Sequence, residues 1–116
     1  MLPLLVLLGP TAAGKTAVAI RVAKLLDGEI ISADSMQVYR HLDIGTAKPT
    51  AAEREGVPHH LLDIVEPDEE FNVARFQAEV KRIIPAIVAR GHLPMLVGGT
   101  GLYIRAVVDN YDFSPG

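Results

Sequence analysis

Gly9-Pro10-Thr11-Ala12-Ala13-Gly14-Lys15-Thr16 fits G-x-x-x-x-G-K-[ST], the phosphate-binding P-loop, with no mismatch. Its surroundings suit the motif. The apolar run Leu2 to Leu8 precedes it and a helix-compatible run, Thr16 to Leu26, follows. The two glycines let the backbone curl until successive N–H groups face one anion. The helix N-terminus adds unpaired donors and partial positive charge. Gly9 to Thr16 therefore reads as a diphosphate or nucleotide site. Lys15 supplies a full charge to the phosphate oxygens and Thr16 a hydroxyl to Mg²⁺.

Outward from this motif, strands and helices alternate. Leu4 to Leu8 is apolar on both faces, as in a central parallel strand. Glu29 to Ala33, His59 to Val65 and Leu93 to Val97 read as three further strands, with Pro94 confined to a strand start. Asn72 is placed to cap a helix whose buried stripe is Val73, Phe76, Val80, Ile83, Ile84 and Ile87. Pro85 should kink this helix and Gly91 end it. The expected fold is α/β: a P-loop NTPase-like, three-layer α/β/α arrangement with a mainly parallel sheet, incomplete within residues 1–116.

Composition narrows the function. With 116 residues, 49% hydrophobic and 22% charged, the chain has the balance of a soluble globular domain. It has no cysteine, so a disulfide framework and a cysteine zinc site are excluded. Leu2 to Leu8 is too short to span a bilayer and has no basic flank, so a cytoplasmic, membrane-free enzyme is expected. The net charge of −3 limits how much polynucleotide affinity these residues supply.

Three more segments carry polar residues where strands end. Asp34 and Ser35 follow the second strand, at the rim where open parallel sheets bind ligands. There Asp34 has three readings: Mg²⁺ ligand, proton acceptor or helix cap. Asp43-Ile-Gly45-Thr46-Ala-Lys48-Pro49 is a polar loop, either lining a cleft or making a surface connection. Val97-Gly98-Gly99-Thr100-Gly101-Leu102-Tyr103 closes one strand in glycine rather than in the acid of a hydrolytic ATPase. Asp63 imitates that acid only loosely. Adjacent His59 and His60 should point to opposite faces of a strand, which disfavours a shared metal. Asp68, Glu69 and Glu70 suit a helix N-terminus, and Arg75, Lys81, Arg82 and Arg90 a solvated helix face.

Taken together, Gly-Pro-Thr-Ala-Ala-Gly-Lys-Thr, Ser-Ala-Asp-Ser-Met-Gln-Val-Tyr, Leu-Asp-Ile-Gly-Thr-Ala-Lys-Pro, Pro-His-His-Leu-Leu-Asp and Gly-Gly-Thr-Gly-Leu-Tyr resemble the tRNA dimethylallyltransferases, in the family's order. The resemblance covers essentially the whole chain but only the N-terminal part of a typical member. It implies that residues 1–116 are the P-loop catalytic core, without the helical insertion that embraces tRNA and without the C-terminal part. It implies transfer of a dimethylallyl group from dimethylallyl diphosphate to N6 of the adenosine 3′-adjacent to the anticodon, in tRNAs reading codons that begin with U. Diphosphate is released and Mg²⁺ is the cofactor. The implied catalytic residues are Asp34 as general base, with Lys15 and Thr11. Gly9, Pro10, Thr11, Ala12, Ala13, Gly14, Lys15 and Thr16 hold the diphosphate, with Thr16 on Mg²⁺. Asp34, Ser35, Met36, Gln37 and Thr100 contact the tRNA anticodon stem-loop. The implied protein is a monomer. Two other readings stand beside it: an ATP-dependent small-molecule kinase, which needs a lid not visible before Gly116, and a non-catalytic nucleotide-binding module in which Asp34 is dispensable.

Overall fold

The computed structural model describes residues 4–8, 13–34, 37–40, 49–99 and 101–110, with backbone alone at 8, 13–15 and 110. Its elements are β1 (Leu5–Leu8), α1 (Ala13–Leu26), β2 (Gly28–Ser32), α2 (Ala51–Arg54), β3 (His59–His60), α3 (Val73–Ala89), β4 (Leu93–Gly98) and α4 (Gly101–Asn110). The strands form one parallel sheet in the order β1-β4-β2-β3.

Side-chain alternation along the strands builds the three layers. Leu5, Leu7, Ile30, Leu93, Met95 and Val97 face α1, where Ala19, Ile20 and Ala23 complete one apolar cluster. Leu4, Val6, Ile31 and Leu96 face the other way, onto α3 and α4. There Phe76, Val80, Ile84 and Ile87 meet Tyr103, Ile104 and Val107, and the rings of Phe76 and Tyr103 stack with centroids 4.6 Å apart. Strands that feed both layers must be apolar on both faces, which is why β1 and β4 read as near-continuous hydrophobic runs.

Helix α3 has the expected cap and stripe. The Asn72 side chain accepts from Arg75 N–H at 3.0 Å, and Phe76, Val80, Ile83, Ile84 and Ile87 are buried. The helix continues through Pro85 to Ala89. Pro85 is exposed, so the Lys81 carbonyl that lacks an N–H partner lies on the solvent side, where water compensates it. Gly91, at φ 80°, turns the chain after the Arg90 cap.

Three expectations need correction. α1 begins at Ala13 rather than Thr16, so residues 13–15 already belong to its first turn. The strand expected over His59 to Val65 is only two residues long. After His60, on the edge strand, Leu61 and Asp63 take left-handed φ values of 65° and 54° and curl the chain off the sheet. Residues 63–65 bond instead to the 37–40 turn: Asp63 N–H to Gln37 O, Ile64 N–H to Val38 O and Arg40 N–H to Val65 O, at 3.2, 2.9 and 2.8 Å. A short helix, α2, was not anticipated. It is capped by a reciprocal pair in which Thr50 accepts from Glu53 N–H and Glu53 accepts from Thr50 N–H.

Gly98 is where the strand ends meet. A Cβ there would fall on the carbonyl of Ala33, and that neighbour is backbone, which cannot step aside. Gly98→Ala is therefore expected to destabilise the protein by about 2–3 kcal/mol, at the upper end for overpacking. Urea unfolding measures it. A loss below about 0.5 kcal/mol, the scale of a surface change, would mean that β2 and β4 do not approach here.

Candidate functional site

All strands run parallel, so their carboxyl ends share one rim. β4 alone separates β1 from β2, with Leu8 opposite Gly98 and Val97 opposite Ser32. Ala33 N–H continues the pairing onto Val97 O at 2.8 Å. The end of β1, the segment after β2 and the end of β4 that leads to α4 therefore lie side by side.

Of the predicted site residues, Gly9, Pro10, Thr11, Ala12, Ser35, Met36 and Thr100 lie outside the described residues. Ala13, Gly14 and Lys15 form the first turn of α1, whose free N–H groups and positive dipole end lie at the rim. Thr16 is half-buried. It lines a cleft beneath the rim with Ala19, Ile30, Ser32, Gln37, Pro49, His59, Leu62 and Val97. Asp34 stands two residues beyond β2, half-buried. Its Oδ1 accepts from Gln37 N–H at 3.1 Å, so the capping geometry weighed from the sequence is present.

Gln37 is buried and held from several sides. The Ser32 hydroxyl donates to Gln37 Oε1 at 3.0 Å, and the Gln37 carbonyl accepts from Asp63 N–H. Asp63 thus lies beyond the end of β3 in a left-handed turn, bracing the 37–40 segment, and not at a strand end.

His59 and His60 diverge as their strand positions require. His59 enters the cleft on the α1 side, where burial lowers its pKa against a bond to Val57 that raises it. A carbonyl only accepts, so His59 Nδ1–H donates to Val57 O at 2.8 Å. His60 turns to the α3 side and meets Glu29 Oε1 at 2.8 Å. Tyr103 of α4 lies under the rim with its hydroxyl donating to Phe71 O at 3.3 Å. Its pKa is raised, first by burial and then by Tyr39 and Asp34.

At the opposite end of β2 sits a group whose pairing the sequence reading missed. Arg90, the exposed C-cap of α3, reaches back to Glu29. Its Nε and guanidinium NH2 donate to both oxygens of Glu29, at 2.8 and 2.6 Å, and His92 Nδ1 meets Oε2 at 2.6 Å. Glu29 is 1% exposed, and the Arg90 bond leads in holding its pKa down at about 2, with His60 and His92 adding to it against burial.

Sequence reasoning also missed Ser32 and His59 as cleft residues. One signal was available for Ser32: it lies two residues before Asp34, near the C-terminal end of the expected strand. Among the described residues no helix is long and apolar enough to cross a membrane.

Comparison with known proteins agrees with this layout. The family described as "IPP transferase" matches residues 37–116, and that described as "Isopentenyl transferase" matches residues 2–66. The tRNA dimethylallyltransferase of Symbiobacterium thermophilum is 67% identical over 114 residues, 98% of this chain and 36% of that protein. That of Carboxydothermus hydrogenoformans is 60% identical over 111 residues, 96% of this chain and 36% of its own length. The crystal structure of full-length tRNA isopentenylpyrophosphate transferase from Bacillus halodurans superposes with a TM-score of 0.92 at 54% identity, covering 98% of this chain and 38% of that one. A eukaryotic dimethylallyltransferase captured acting on tRNA gives 0.84 at 39% identity, over 90% of this chain and 26% of that one. The chain thus spans 36% of the length of these two curated relatives. With its motifs in order, its sheet superposed and family matches over more than half of its residues, it belongs to the IPP transferase family, that of the tRNA dimethylallyltransferases.

Proposed function

We propose that these residues are the donor-binding and proton-accepting core of a tRNA dimethylallyltransferase. The observation that carries the reading is the strand order: one intervening strand brings the N-terminus of α1 and Asp34 to a single rim, in a chain of this family. The reaction moves a dimethylallyl group from dimethylallyl diphosphate to the exocyclic N6 of the adenosine 3′-adjacent to the anticodon, in tRNAs reading codons that begin with U. The protein acts in the cytoplasm as a monomer.

The amine lone pair attacks C1 of the dimethylallyl group, the C1–O bond breaks, and its electron pair leaves on the diphosphate. Backbone N–H groups from Ala12 to Thr16 and the α1 dipole take up the anion's growing charge, with Lys15 adding a full positive charge. Thr11 contacts the same group. The N6 proton passes to the Asp34 carboxylate. An aromatic amine is a weak nucleophile because its lone pair is delocalised, so orientation by a hydrogen-bonded carboxylate matters as much as proton removal. Ser35, Met36, Gln37 and Thr100 meet the anticodon loop, and the target base leaves its stack to reach the rim.

Thr16 offers a half-buried hydroxyl in the cleft, a hard oxygen donor that suits Mg²⁺. Thr16 would hold the ion, which supplies charge neutralisation on the diphosphate.

The test is prenyl transfer to a tRNA anticodon stem-loop, in a polypeptide of the relatives' full length carrying these residues. The adenosine 3′ to the anticodon should gain the mass of one dimethylallyl group in exchange for a proton. An unmodified adenosine with both substrates bound would overturn the reading.

A further inference from the structure

The loop that carries Asp34 is stapled across its base. Ser32, the last residue of β2, is 5% exposed, and its hydroxyl donates to the side-chain oxygen of Gln37, 8% exposed, at 3.0 Å. This bond joins the two ends of the segment 33–36. On one side Ala33 N–H is fixed to Val97 O, and Gly98 leaves no room for that strand end to shift. On the other, the Gln37 carbonyl is held by Asp63 N–H at 3.2 Å, from the left-handed turn after β3. Gln37 N–H in turn donates to Asp34 Oδ1 at 3.1 Å. Asp34 therefore bonds a residue whose side chain is tied to a hydroxyl two positions upstream of Asp34.

We propose that Ser32 is a positioning residue for the Asp34 carboxylate. The inference rests on the function proposed above for Asp34. Ser32 acts through Gln37: its O–H fixes the Gln37 side chain, Gln37 keeps its backbone N–H aimed at Oδ1, and the carboxylate is held in one orientation toward the rim. Ser32→Ala removes this buried bond and loosens the tie between the two ends of the segment, which the Gln37 N–H bond to Oδ1 depends on. A hydroxyl is the feature required. Ser32 lines the cleft, and threonine carries the hydroxyl that alanine lacks.

Two readouts test this on Ser32→Ala and Ser32→Thr. The first is amide hydrogen exchange at Gln37 N–H, with Phe76 N–H, bonded to Asn72 O in α3, as the report on general stability. In Ser32→Ala, Gln37 is expected to exchange about 10-fold faster or more while Phe76 stays within about threefold, the pattern of a local opening. The second readout is steady-state prenyl transfer in the full-length protein. There kcat is expected to fall about 10-fold or more while KM for dimethylallyl diphosphate changes less than about twofold, since the donor site is untouched. Ser32→Thr should restore both. Unchanged Gln37 exchange in Ser32→Ala overturns the staple. Faster exchange with unchanged kcat overturns its role in the reaction, and failure of threonine to restore overturns the hydroxyl argument. No transfer by the unsubstituted protein overturns the proposed function itself, and with it Ser32's part in catalysis, while the exchange measurement still judges the staple.

Discussion

On the proposed function, Asp34→Ala is expected to lower the rate of prenyl transfer by about 10²–10⁴-fold, the range for loss of a positioned general base. Binding of dimethylallyl diphosphate is expected to stay within about twofold. The donor site proposed at the N-terminus of α1 follows β1, whereas Asp34 stands beyond β2, with β4 between the two strands. Asp34 Oδ1 also accepts Gln37 N–H, so alanine removes a cap together with the proposed base. Asp34→Asn separates the two roles. Its amide oxygen still accepts from Gln37 and keeps the loop, yet it takes no proton at neutral pH. The expected result is a loss in Asp34→Asn nearly as deep as in alanine, with Gln37 N–H still protected from exchange. Turnover near that of the unsubstituted protein in Asp34→Asn would reduce Asp34 to a cap.

The second large effect concerns stability. Glu29 gathers Arg90, His60 and His92 at the far end of β2, tying β2 to β3, to the end of α3 and to the start of β4. Glu29→Ala leaves these donors facing a space with no acceptor. The Arg90 side chain is 46% exposed and rehydrates in part, so the expected cost is about 3 kcal/mol, the lower end for breaking a buried pair. That is a fall in Tm on the order of 10 °C for a chain of this size. The pH dependence follows from the shift. The Glu29 pKa is lowered from an ordinary 4.5 to about 2, so the unfolded chain binds a proton at this group more readily than the folded one. Its stabilisation is fully present above about 4.5 and lost as pH falls toward about 2. Acid unfolding of Glu29→Gln should consequently be shallower than that of the unsubstituted protein across this window. Equal acid midpoints and a stability change under about 1 kcal/mol would show that the cluster contributes nothing beyond exposed pairs.

The parts of the fold legible in the sequence are those governed by local rules. β1 and β4 announced themselves as apolar runs, and α3 by its stripe and by Asn72 three residues before Arg75. The parts that were not legible depend on distant partners. Glu29 meets residues 31, 61 and 63 positions away, and nothing within its own strand announces that a charge there is satisfied. His59 to Val65 has the alternation and apolar content of a strand. It ceases to be one after His60, because the backbone of residues 63–65 is claimed by the 37–40 turn rather than by the sheet. The missed helix α2 did carry a local signal, the Thr50-Ala-Ala-Glu53 capping box. At the site, the sequence reading set Asp34 past the end of the second strand, and in the structure it stands two residues beyond β2, with β4 between that strand and β1. The staple from Ser32 to Gln37 is a tertiary detail that only the closed loop displays.

The proposed function stands or falls on a prenyl diphosphate bound at the N-terminus of α1. Calorimetry of this chain with dimethylallyl diphosphate and with ATP, in Mg²⁺, is the decisive measurement, with Lys15→Ala as the control. The prenyl diphosphate is expected to bind more tightly than ATP, and Lys15→Ala to abolish the difference. Tighter binding of ATP would contradict it and turn the site into that of a kinase.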